Sequence, residues 1–163
     1  MKSPFSTPLL TLLALTPLAS AQSPHFQSQG AGATINDAGA LIATWQERGL
    51  GNNQLITYTV TADGLAQYAC INRGGQHPKA SNKETVQGPL SATAQYSSGR
   101  NGGVNGQATL GPLGPGSFSC PSGQTRVLAK VCYSNVMVTD DTNHVGPFTL
   151  LSGQQCKTLV DIS

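Results

Sequence analysis

Residues 54–60 read Gln54-Leu55-Ile56-Thr57-Tyr58-Thr59-Val60, and their order decides the fold class. Ile56, Tyr58 and Val60 share one parity and Thr57 and Thr59 the other, so an extended chain turns apolar side chains to one face and hydroxyls to the opposite one. β-branched and aromatic residues suit such a half-buried pleated surface. On the N-terminal side stands Gly49-Leu50-Gly51-Asn52-Asn53, a turn whose glycines and asparagines tolerate positive φ. On the C-terminal side Thr61-Ala62-Asp63-Gly64 contains an Asp-Gly pair. That pair is a two-residue hairpin signal and predicts an antiparallel return over 65–71.

The same texture extends in both directions: short runs rich in Thr, Val, Ile and Tyr, separated by Gly, Asn, Pro and Ser clusters. Residues 40–48 (Ala-Leu-Ile-Ala-Thr-Trp-Gln-Glu-Arg) read as a strand with Trp45 in or beside the core. Helix is the alternative there on propensity, and the β-rich surroundings decide against it. Residues 72–84 are polar and form a long loop. Residues 85–97 make a strand with Pro89 at an edge or bulge, since proline cannot donate to a ladder. A turn over 98–103 leads to a strand at 104–110, then to an irregular Gly/Pro segment over 111–121. Residues 126–138 form a long strand in which Val127, Ala129, Val131 and Tyr133 have one parity and Val136 and Val138 the other. The phase change predicts a bulge near Ser134-Asn135. Shorter strands near 146–151 and 155–162 close the domain. About eight strands without intervening helices predict an all-β, single-domain antiparallel β-sandwich, with a small β-barrel as the alternative.

The first 21 residues read as an export signal. Lys2 is the positive n-region, residues 8–15 the apolar core, and Ala19-Ser20-Ala21 the small residues before cleavage. No stretch reaches the roughly 18 apolar residues of a membrane span. The expected organisation is therefore a signal peptide at 1–21, a flexible N-terminal segment at 22–38 and the sandwich at 39–163. The chain has 9 Lys+Arg against 7 Asp+Glu, and loss of Lys2 leaves a net charge of +1. Such a balance offers no electrostatic attraction for nucleic acid or an anionic membrane.

Four cysteines, Cys70, Cys120, Cys132 and Cys156, all follow the signal. An even number in an exported chain predicts two disulfides with three connectivities to choose from. The pairing Cys70–Cys120 and Cys132–Cys156 is expected, with Cys70–Cys156 and Cys120–Cys132 as the alternative. Zinc is not expected, because no CxxC or HxxxH spacing occurs and His25, His77 and His144 stand alone.

Catalytic constellations are not found. There is no Gly-x-Ser-x-Gly elbow and no motif that nominates a histidine as base. Asp140-Asp141-Thr142-Asn143 lacks the spaced register of a calcium loop and reads as a solvated turn, while Asp63 is assigned to its hairpin. The glycine-rich 102–106 stretch has no P-loop lysine. Neither catalytic residues nor a cofactor are expected. What stands out is the 72–83 loop, which concentrates Arg73, His77, Lys79 and Lys83 on a chain otherwise poor in charge and is the candidate partner-binding surface.

Beyond single motifs, the strings Gly-Leu-Gly-Asn-Asn-Gln (49–54), Ile-Thr-Tyr-Thr (56–59), Thr-Ala-Asp-Gly (61–64), Tyr-Ala-Cys-Ile-Asn-Arg-Gly-Gly (68–75) and Pro-Lys-Ala-Ser-Asn-Lys (78–83) resemble small secreted elicitor proteins of filamentous fungi, which induce a hypersensitive, cell-death response in plants. Phe-Ser-Cys-Pro-Ser-Gly-Gln (118–124) and Tyr-Ser-Asn-Val (133–136) look like the second half of the same family. The resemblance covers most of the chain after the signal. It implies a β-fold, an apoplastic location, perception by a plant cell-surface or apoplastic protein, and no catalytic residue to carry over. It also favours Cys70–Cys120 as one pair. The competing readings are a structural or carbohydrate-binding cell-wall protein, which needs displayed aromatics, and a small hydrolase, which needs a histidine, a carboxylate and a hydroxyl in one pocket.

Overall fold

The alternation at residues 54–60 continues well past them. The computed structural model describes residues 22–72 and 82–162, and in these the chain forms seven strands: β1 His25–Ile35, β2 Leu41–Arg48, β3 Leu55–Asn72, β4 Lys83–Ser97, β5 Val104–Leu110, β6 Gln124–Asp140 and β7 Val145–Thr158. They make two antiparallel sheets, ordered β1-β2-β5 and β4-β3-β6-β7. The sheets stack as an open β-sandwich and not as a closed barrel. The expected signal at 1–21 lies outside the described residues.

Strand β3 is the spine. Ile56, Tyr58, Val60, Ala62, Ala66 and Tyr68 are all buried, so one parity faces the core from Ile56 to Tyr68 of this 18-residue strand. This overturns the expected hairpin at Asp63-Gly64. Asp63 sits mid-strand opposite Pro89 of β4 and Ser134 of β6, and Gly64 opposite Gly88 and Tyr133. A two-residue turn there would pair Ala62 with Leu65 and swing Ala66 and Tyr68 out to solvent. The Asp63 carboxylate instead accepts a hydrogen bond of 2.6 Å from the Asn135 side chain.

Two further differences bring about eight expected strands to seven. Residues 145–158 form one strand, whose mismatch with β6 is absorbed where Asn135 (φ 52°) and Gly153 (φ 92°) adopt left-handed backbone. The bulge expected near Ser134-Asn135 is therefore present. At the N-terminus, the segment 22–38, expected to be flexible, carries β1. It pairs with β2 through a register slip between Gln27 and Gly32. Phe26 stacks on Phe148 with ring centroids 5.3 Å apart, and Ala31, Ala33 and Ile35 pack against the core. Burial of these side chains fixes a segment whose glycines had argued for mobility.

The core lies between the sheets, with Leu41, Ala43 and Trp45 of β2 facing Ile56, Tyr58, Val60, Val131, Tyr133, Val136 and Val138. Trp45 lies against Gly106, its pairing partner on β5, so closely that an added Cβ would enter the indole ring. Both margins of the larger sheet contain a proline, Pro89 in β4 and Pro147 in β7. The disulfides are Cys70–Cys120, joining the end of β3 to the 111–121 segment, and Cys132–Cys156, joining directly opposed residues of β6 and β7.

Candidate functional site

The stem of the 73–81 segment is built by three kinds of bond at one end of the sandwich. Asn72 closes β3 opposite Gln124, and Asn82 precedes β4. The Cys70 amide donates to the Asn82 carbonyl at 3.1 Å, and the Asn82 side-chain amide donates to Gln124 Oε1 at 3.1 Å. The Cys70–Cys120 bridge, with Cα atoms 5.6 Å apart, then ties this stem to the irregular segment that follows β5. That segment is fastened twice more: the Tyr68 hydroxyl donates to Leu113 O at 2.6 Å, and Arg126 Nη1 to Phe118 O at 2.7 Å.

Of the four candidate contact residues, Arg73, His77 and Lys79 lie outside the described residues. Lys83 is the first residue of β4, opposite Ala69, and its ammonium donates to the Ile162 carbonyl at 2.9 Å. Its charge is thus directed across the sheet toward the C-terminal residues, beside Gln67, Lys130 and Asp161. Among the described residues no group of three or more His, Cys, Asp or Glu side chains is placed to hold a metal ion. No helix in them is long and apolar enough to cross a membrane.

The opposite end of the sandwich holds a cluster that motif reading passed over. Glu47 of β2 and Asp140 of β6 are both fully buried. Tyr58 donates its hydroxyl to Glu47 Oε2 at 2.7 Å. Asp140 accepts from the backbone amides of Thr142 and Asn143 at 2.8 and 2.9 Å and from the Asn143 side chain at 2.7 Å, so it caps the β6–β7 turn from inside. The 140–143 stretch is therefore not wholly a solvated turn: Asp141 is exposed and takes the Thr59 hydroxyl, while Asp140 is interior. Loss of hydration pushes the Glu47 carboxyl up to about 7. Tyr58's hydrogen bond partly opposes this, and the negative charge of nearby Asp140 adds to it. Burial, and then the bond to Glu47, push the Tyr58 phenol well above its usual range. The Glu47 Oε1 and Trp45 Nε1 atoms are buried without a hydrogen-bond partner.

Parity is the signal that reveals this pair. Leu41, Ala43, Trp45 and Glu47 share one face of β2, and Val136, Val138 and Asp140 one face of β6. On the outer face of the larger sheet a shallow groove of about 420 Å³ runs past Thr61, Asp63, Pro89, Leu90, Asn135 and Met137. Comparison with protein-family models, characterised proteins and solved structures finds no match to this chain.

Proposed function

We propose that this protein is a secreted fungal elicitor or effector, perceived by plants at a cell-surface or apoplastic partner, and that it triggers cell death and defence by binding and not by catalysis. The observation that carries the reading is the cross-linked stem. A segment rich in cationic side chains leaves from a rung whose two ends are joined by a hydrogen bond and braced by a disulfide. Cross-linking of this kind belongs to chains that work in oxidising compartments, and rigid scaffolds commonly carry recognition on such connections. The sequence resemblance supplies the plant and the response.

The alternative of a carbohydrate-binding wall protein has less support, because the aromatic rings are occupied. Phe26, Trp45, Tyr58, Tyr96 and Phe148 pack on one another, and Tyr68 and Tyr133 direct their hydroxyls to backbone carbonyls. A sugar platform needs such rings side by side and open to solvent.

Purified oxidised protein infiltrated into leaves is expected to cause necrosis or a defence burst, and a null result across several hosts overturns the reading. Arg73→Ala with Lys79→Ala should weaken the response if the cationic segment makes the contact. Lys83→Ala, whose ammonium is engaged by Ile162, should weaken it less. A response retained in full after reduction and alkylation would show that a linear peptide suffices and that the braced stem is not what is recognised.

A further inference from the structure

We propose that Glu47 is a proton-operated clasp between the two sheets: protonated, its carboxyl joins β2 to Tyr58 of β3 and Asp140 of β6 and locks that end of the sandwich; ionised, it loosens it. The inference stands independently of the proposed function.

The geometry supplies both states. Glu47 comes from the smaller sheet, and its two acidic or hydroxylic neighbours come from the larger one. The three N–H groups that Asp140 accepts occupy its oxygens as acceptors, so it has no donor to offer Glu47. Two nearby buried carboxylates repel when both are ionised, and a proton on one of them removes that repulsion and supplies a donor. Glu47 Oε1 is a buried oxygen that meets no donor, and a proton on the carboxyl lets that side of the group be used.

The other neighbours do not reverse this balance. From β1, His25 places a positive charge in range and favours the ionised form, but its effect ranks below burial and Asp140. From β5, the residue paired with Glu47 is Val104, and that strand has no titratable side chain. On β2 itself Arg48 points to the opposite face, where its guanidinium donates to Glu47 O, Val104 O, Gln46 Oε1 and Asn105 Oδ1. From β4, Tyr96 gives its hydroxyl to Gln107 O, with its ring near Trp45 and Tyr58. From β7, Val145 lies opposite Asp140, and in the β6–β7 turn Asp141 is turned outward onto Thr59. Among the described residues no buried cation is available to compensate an ionised Glu47.

The test is amide hydrogen exchange on the full oxidised chain, corrected for intrinsic rates, from about pH 4 to about pH 9. If opening frees Glu47 to ionise, the opening equilibrium should rise about tenfold per pH unit from its ordinary titration range up to about 7 and then level off. Amides around Trp45–Arg48 and the β6–β7 turn should show this slope at opening energies below that of global unfolding, while amides that exchange only by global unfolding share the slope at the full energy. Emission from Trp45, the sole tryptophan, should report the same midpoint. Glu47→Gln should abolish the slope, and Asp140→Asn should move the midpoint to lower pH. Should these variants not fold, direct carbon-13 titration of the Glu47 carboxyl in the unaltered chain decides. Amides around Trp45–Arg48 that open only at the energy of global unfolding, an unchanged profile in Glu47→Gln, or a Glu47 that titrates below about pH 5 overturns the proposal.

Discussion

Gly106 and Trp45 meet where β2 and β5 pair, and the indole fills the space that any side chain on Gly106 would need. Gly106→Ala should therefore displace the ring and cost about 1–3 kcal/mol, read as a lower urea midpoint in Trp45 fluorescence with an unchanged slope. Tyr133 tests a different kind of contact. Its hydroxyl crosses the sandwich to donate to Gly39 O at 2.6 Å, and burial pushes the phenol up to about 12. Tyr133→Phe leaves that carbonyl without its donor, and a loss of about 1–2 kcal/mol is expected by the same measurement. At this scale the sequence was informative wherever parity was followed through. Trp45 falls in the core as alternation requires, and the same alternation puts Glu47 and Asp140 inside. A search for catalytic motifs overlooks them because they belong to no motif.

At the scale of elements, local turn chemistry misleads when two neighbouring strands compete with it. Asp63-Gly64 is a strong hairpin signal in isolation, but β4 and β6 pair with β3 on both sides of it and keep the chain extended. The length of β3 was legible in the run of even-numbered apolar and small residues from Ile56 to Tyr68, which a turn would have put out of phase. The first strand was not legible: His25–Ile35 is an edge strand with two glycines, and its anchor, Phe26 on Phe148, is a contact between distant segments. The disulfide pairing was the expected one, Cys70–Cys120 and Cys132–Cys156. The sequence separations of 50 and 24 predict, from chain entropy alone, that losing the first bridge costs only about 0.6 kcal/mol more than losing the second. Cys70→Ala with Cys120→Ala should nonetheless be the more damaging change, because it also releases the 73–81 stem and the 111–121 segment. Thermal melts of the two double variants check the order, and a larger loss in the Cys132/Cys156 variant would show that the stem is held by its hydrogen bonds.

For the whole molecule, stability should have an acid optimum. Glu47 has a folded value raised from 4.5 to about 7, so the folded state holds a proton that the unfolded chain releases between these limits. Its stabilising contribution is full below about pH 4.5, falls as pH rises to about 7 and is then gone, a change on the order of 3 kcal/mol. Asp37 acts in the other direction. The hydrogen bond and charge of Lys157, whose ammonium is 2.7 Å away, hold its carboxyl below 3.8, so this contribution is present above that value and fades in stronger acid. Together they predict greatest resistance to urea at roughly pH 4 to 5. Urea titrations from about pH 3 to about pH 8 check this, and midpoints that rise from pH 5 to pH 7 would contradict it.

Pro89 and Pro147 give the outer strands of the larger sheet a further consequence. A second copy of the chain that tried to extend the sheet would meet a residue with no N–H to offer along β4, and along β7 another at Pro147 together with left-handed backbone at Gly153, on a strand whose register with β6 slips. Neither border is a flat, uninterrupted template, so growth into stacked fibrils is obstructed on both flanks while the interior pairing stays complete.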